Sequence, residues 1–141
     1  MDNLDQPAGD PAWRFRGFQT WPASLDAQRD FLTIAASLAA RSSHPCAQDL
    51  HRVALWNSQG TQPVTGFQDF GEKGFGGVVQ LPGEPMPRAA LIGTRDFLVE
   101  SGQEIPELLR TAARSWEEEG APVFYCAWDG TAKATLRFGG H

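Results

Sequence analysis

Residues 64–92 read VTGFQDFGEKGFGGVVQLPGEPMPRAALI, and the fold is decided there. Three extended runs, Val64 to Phe70, Phe75 to Leu81 and Arg88 to Ile92, are separated by a cluster of glycines and by a connection crowded with Pro82, Gly83, Pro85 and Pro87. They predict an antiparallel meander. Upstream, Trp13, Phe15 and Phe18 suggest a strand with an irregularity at Gly17, and Trp21-Pro22-Ala23 a turn. From Ser24 onward Phe31, Leu32, Ala35, Leu38 and Ala39 recur at helical spacing, and Ser24 or Asp26 can cap the start, so a helix is expected over about 25–41. Pro45 suits the first position of a second helix, because its missing N–H had no partner there, and that helix runs to about Leu55 with Ala47, Leu50 and Ala54 buried.

Downstream of the meander, Thr94 or Asp96 can cap a short helix that Gly102 ends. Pro106 opens another, with Leu109, Ala112, Ala113 and Trp116 on one face, Glu117 to Glu119 outside, and Gly120 as its stop. Val123 to Trp128 and Ala132 to Phe138 then form a hairpin around Asp129-Gly130, a dipeptide that accepts the positive φ angles of a tight turn. The expected class is α+β: an antiparallel sheet of about six strands flanked by two helical hairpins, with a cleft on the sheet's exposed side. Trp13, Phe31, Leu38, Leu50, Leu109, Phe124 and Leu136 are expected in the core. Residues 1–12 read as a flexible tail and 13–141 as a single domain.

The 141 residues carry 17 acidic against 12 basic side chains, a net charge of −5, which repels phosphate backbones and anionic lipid and argues against nucleic acid as a partner. A phosphate-bearing ligand has to be held locally. With 41% hydrophobic residues, 9 Phe and 5 Trp, the chain can build a real core. Cys46 and Cys126 lie far apart and belong to no C-x-x-C pair, so both read as reduced thiols. No apolar run approaches the roughly 18 residues of a membrane span, and the opening MDNLDQPAGDP lacks the pattern of a secretion signal. A cytoplasmic, monomeric domain is expected. The loop-like opening and the end at Phe138-Gly139-Gly140-His141 suit a domain cut from a longer protein.

Three constellations could carry chemistry. Ser43-His44-Pro45 opens a helix, where backbone N–H groups converge; His44 either meets a ligand at an exposed junction or fills the cap. Phe70 to Gly77 holds four glycines, which either let backbone approach a ligand closely or form a bulged hairpin. Neither a dinucleotide fingerprint nor a Walker loop fits it, since the setting is strand–turn–strand and no Gly-Lys-Ser/Thr follows. His44 and His51 share a helix face but Cys46 falls on the opposite side, and a closed site wants four ligands, which argues against a metal site. No nucleophile elbow is present.

The order of the pieces resembles the nucleotide-binding domain of heavy-metal-transporting P-type ATPases: an Ala-rich helix ending in Ser-His-Pro, a glycine loop about 30 residues on, Ala90-Leu91-Ile92-Gly93-Thr94-Arg95-Asp96-Phe97-Leu98, an acidic helix and a closing hairpin. The likeness covers about residues 13–138. It implies that His44 and Pro45 match the family's His-Pro pair, whose histidine contacts adenine. Gly74 and Gly77 match the second and last glycines of the family's loop, and Gly93 the glycine before its Asn. Ser43 stands where a glutamate that recognises adenine is usual, Glu72 where the first loop glycine is usual with Gly71 one place early, and Thr94 replaces the asparagine. Some of these departures are similar to the relaxed motifs of oxidase-assembly copper exporters.

The implied binding set is therefore Ser43, His44, Pro45, Gly71, Gly74, Gly77, Gly93 and Thr94, with no catalytic residue and no metal ligand. The resemblance further implies ATP as ligand, with Mg in the complete enzyme, and the phosphorylation and actuator domains of a copper pump as partners. The phosphorylated Asp lies in one of those domains. A degenerate domain with a regulatory or structural role, and an independent metal-binding protein, are the competing classes.

Overall fold

A computed structural model describes residues 11–56 and 58–139. Of the tail expected over 1–12, residues 1–10 lie outside the described residues, and Pro11–Trp13 form a 3-10 turn that leads into strand β1, Phe15–Thr20. Helix α1, Leu25–Ala39, begins where Ser24 Oγ accepts the Ala27 N–H at 3.1 Å, and helix α2, Ala47–Trp56, follows. The meander comprises β2, Val64–Asp69, β3, Gly74–Val79, and β4, Arg88–Gly93. Two helices come next, α3, Arg95–Glu100, and α4, Glu107–Glu118, before the hairpin of β5, Val123–Trp128, and β6, Thr131–Phe138. At its tip Asp129 and Gly130 have φ of 59° and 85°, the pair of positive angles that the Asp-Gly dipeptide was expected to supply.

All six strands join one antiparallel sheet in the order β1-β6-β5-β4-β3-β2. The first and last strands are neighbours: Phe15 pairs with Phe138, and the Gly139 N–H donates to the Arg14 carbonyl at 3.0 Å. Register slips between Phe15 and Gly17, the irregularity read from Gly17.

Alternation along β5 shows how the sheet is covered. Phe124, Cys126 and Trp128 face α1 and α2, in a core with Phe31, Leu38, Leu50, Phe75 and Ile92, while Tyr125 and Ala127 face Phe97, Leu98, Leu109 and Ala113 of α3 and α4. Helices thus lie on both faces, so the expected cleft on an exposed side of the sheet is corrected: the face beneath α3 and α4 is filled by their apolar residues, and the depression lined by the Ser43-His44-Pro45 and Gly71 loops lies at one end of the strands. Trp13, expected in the core, is only partly buried at its edge.

Polar groups fasten the α1–α2 pair to the segments around it. Thr33 and Ser37 are buried on α1, each donating its hydroxyl to the carbonyl four residues back and accepting, respectively, the Gln59 and Gln62 N–H of the following loop at 3.0 and 2.8 Å. Asp49 on α2 accepts the Phe15 N–H at 2.6 Å and an Arg52 guanidinium, tying α2 to β1. Pro45 does not open the helix directly. It lies in a turn closed by the Ala47 N–H on the His44 carbonyl at 2.9 Å, and the helix starts two residues later than expected.

Candidate functional site

The loop between α1 and α2 meets the loop between β2 and β3 at one end of the sheet. Ser42 Oγ donates to one oxygen of Asp69 at 3.1 Å; the Ser43 N–H and hydroxyl reach the other oxygen at 3.3 and 3.4 Å. Between these loops is a depression of about 210 Å³ lined by Ser43, His44, Pro45, Asp69, Gly71 and Glu72.

His44 forms part of its lining rather than an exposed arm. It is 6% exposed, a correction to the open junction that its place before Pro45 suggested. Its ring lies edge-on to Trp13 at 5.0 Å and to Phe124 at 5.2 Å, with Phe75 at 6.2 Å. Nδ1 accepts the Cys46 N–H at 3.0 Å, so the proton sits on Nε2, which donates to the Glu72 carbonyl at 3.3 Å. Both nitrogens are spent inside the protein. Burial lowers the pKa of His44, against the opposing pull of the Glu72 carbonyl and the Asp69 and Glu72 charges, and the ring is neutral. His44 thus closes the turn before α2 and walls the depression at once.

Glu72 and Lys73 belong to a 3-10 turn over Gly71–Lys73, and their successive carbonyls reach in two directions. The Glu72 carbonyl receives His44; the Lys73 carbonyl receives the Thr94 N–H at 3.0 Å. Thr94 Oγ1 in turn accepts the Phe97 N–H at 3.2 Å and caps α3. Gly74 and Gly93 face each other across β3 and β4, so tightly that a methyl group on Gly74 would strike the Ile92 carbonyl and one on Gly93 the Lys73 carbonyl and the Phe97 ring. Ser43, His44, Pro45 and Gly71 therefore line the depression, whereas Gly74, Gly93 and Thr94 brace the turn that forms its edge. Gly77 lies apart. A side chain there would meet Val64 and Leu38, so its smallness lets α1 and β2 pack over β3.

Asp69 was missed. It is the last residue of β2, and no local pattern in the sequence announces its contact with Ser42 and Ser43, which come from another element. His51 lies away from His44, its Nδ1 donating to the Ala36 carbonyl at 3.0 Å, and among the described residues no group of three His, Cys, Asp or Glu could hold a metal ion. Burial pushes the Cys46 thiol up to about 12 and that of Cys126 up as well, so both stay protonated and neither is a nucleophile.

Among solved structures the chain is similar to the N-domain of a copper-transporting P-type ATPase, at 22% identity and a TM-score of 0.65, covering 89% of this chain and 96% of that one. The fold is that of a P-type ATPase N-domain. The chain is also similar to a zinc-transporting PIB-type ATPase in its E2.Pi state, at 16% identity and a TM-score of 0.65 over 88% of this chain but 18% of that one. A further similarity is to the catalytic domain of the CPx-ATPase CopB-B, solved for its conformational changes upon nucleotide binding, at 15% identity, a TM-score of 0.50 and 38% of that chain. No family model and no curated protein matches the sequence. Within this N-domain fold the depression combines a small apolar-walled recess, a fixed carboxylate and backbone approachable at Gly71, which suits a flat ring bearing polar edges.

Proposed function

We propose that the chain is the ATP-binding domain of a heavy-metal, and specifically copper, translocating P-type ATPase. In this reading the adenine ring lies in the depression while the phosphates extend past Gly71, so that the γ-phosphoryl group is presented to an aspartate in a separate phosphorylation domain. The observation that carries the proposal is the convergence of the consecutive Ser43, His44 and Pro45 with Gly71, from a separate loop, around one recess in an N-domain fold. The residues fit the ligand: the recess is small and largely apolar, and nothing lies within 4 Å of where a side chain at Gly71 would begin, so a ligand can reach the loop backbone there. The partners are then adenine nucleotide and the phosphorylation and actuator domains; the domain is cytoplasmic and monomeric, and magnesium enters with those other domains. Among the described residues no helix is long and apolar enough to cross a membrane, so transport belongs to another part of such a pump.

The chain alone does not hydrolyse ATP in this proposal, because the carboxylate nucleophile lies elsewhere and phosphoryl transfer depends on positioning it in line. Affinity is weak, near millimolar, and AMP, ADP and ATP bind within a few-fold of one another. Lys73, the cation of the loop, stands 3.9 Å from Glu100, and the net charge of −5 gives the triphosphate little attraction. Amide-resolved NMR with added ATP tests this: shifts at Ser43, His44 and Gly71 support it, and silence at millimolar nucleotide overturns it. One observation favours a second reading, a degenerate domain with a regulatory or structural role. The nitrogens of His44 are engaged by Cys46 and Glu72 and do not offer themselves to a base. The same titration decides between the two.

A further inference from the structure

We infer that Asp69 selects the base: its carboxylate accepts a hydrogen bond from the exocyclic amino group of a purine seated in the depression. The inference rests on the nucleotide reading above and says which atom of the protein reads the ligand.

The side chains that line the recess differ in what they can accept. The amino group of a purine needs an acceptor; Pro45 and Gly71 bring no side-chain acceptor, and the ring nitrogens of His44 are committed to Cys46 and Glu72. The Ser43 hydroxyl is turned to Asp69, and as a neutral acceptor it holds an amino group less strongly than an ionised carboxylate does. Two carboxylates remain, Asp69 and Glu72. An ionised carboxylate accepts at about four lone-pair sites. Ser42 Oγ uses one of these on Asp69 Oδ1 at 3.1 Å, and the two Ser43 donors share Oδ2 at the long distances of 3.3 and 3.4 Å. Acceptor capacity is left over, on an exposed side chain at the rim of the recess.

What separates Asp69 from Glu72 is restraint. Three donors from the α1–α2 loop orient the Asp69 carboxylate before any ligand arrives, so little side-chain freedom is lost on binding. Glu72 has a longer, exposed side chain on the 3-10 turn, and ordering it would cost more of what a single bond returns. A carboxylate can only accept, so it rewards an amino group and offers nothing to a ring that lacks one.

The test compares ATP with the triphosphate of purine riboside, which has hydrogen in place of the 6-amino group and is otherwise the same. Affinities come from NMR titration of the wild-type chain, Asp69→Ala, Asp69→Asn and Glu72→Gln. The wild type should bind ATP about three- to tenfold more tightly than the analogue. Asp69→Ala should bring the two within twofold of each other, and Asp69→Asn, whose amide oxygen still accepts, should give an intermediate ratio. The ratio is the decisive readout, because a loosened loop weakens both ligands alike. Equal wild-type affinities, a ratio that survives Asp69→Ala, or a ratio that collapses in Glu72→Gln would each overturn the inference while leaving the nucleotide site standing. If neither nucleotide shifts Ser43 or Gly71 at millimolar concentration, the nucleotide reading falls and this inference falls with it.

Discussion

At Gly74 the β3 backbone is pressed so close to β4 that a methyl group would collide with the Ile92 carbonyl oxygen, whereas three residues earlier, at Gly71, nothing lies within 4 Å of the same position. Both belong to one glycine cluster, and both have positive φ, 145° and 66°. The junction at Gly74 and Gly93 is a demand of the sheet: it seats the Gly71–Lys73 turn against the start of α3. The recess at Gly71 is free of that demand, and its walls are set by side chains, those of His44 and Asp69. Glycine density in a sequence therefore does not by itself mark a ligand; the part of the cluster that faces backbone builds the frame, and the part that faces open space borders the site.

The largest effect expected from this contrast is at the junction. Gly74→Ala should destabilise the chain by roughly 3–5 kcal/mol, since no flexible side chain can yield to the intruding methyl group. Gly71→Ala should cost only about 1–2 kcal/mol, the penalty of a left-handed backbone alone. Urea denaturation of the two variants measures the difference directly. A Gly74→Ala loss below about 1 kcal/mol would show that β3 and β4 can part there and that the two regions are not distinct.

Next in size, His44→Ala removes a buried ring from contact with Trp13 and Phe124, and should cost roughly 1–3 kcal/mol of stability and about three- to tenfold in ATP affinity. Unchanged affinity would show that the recess does not need its histidine wall. At the frame, Thr94→Ala takes away the cap of α3 and should cost about 1 kcal/mol, with Thr94→Asn nearly neutral because asparagine caps as well. Thermal denaturation can resolve that pair.

The smallest effect is one of pH. The folded pKa of His44 lies below its unfolded value, so the unfolded chain takes up the proton first. The stability that the neutral ring contributes is complete above about pH 6.5 and is lost as the pH falls below it. His44→Gln should remove this part of the slope between pH 7 and 5; an identical slope in both proteins would mean that the ring is not held neutral by its surroundings.

Most of the frame was legible because its signals are local. Period 3.6 from Phe31 to Ala39, the caps at Ser24 and Thr94, and the positive φ pair at Asp129-Gly130 each act over a few residues, and each appears where the residues place it. The site was legible only in outline. Its decisive contacts join α1–α2 residues to the end of β2 across 26 and 27 positions, and neither the burial of His44 nor the role of Asp69 leaves a trace in periodicity. The same holds for the sheet's second face: strand alternation at Tyr125 and Ala127 is apolar on both sides, and only the packing of Leu98 and Leu109 shows what covers it.

The pairing of the first strand with the last has a mechanical consequence. Phe15 and Phe138 sit side by side at the outer end of an antiparallel ladder, so tension applied through the chain on either side of the domain would peel β1 from β6 from that end inward. Their hydrogen bonds would then break in succession, each resisting with about 1 kcal/mol, instead of sharing the load as bonds sheared along their length do. Under strain this molecule would open like a zip, starting from the Arg14 and Gly139 contact and reaching Thr20 and Ala134 last.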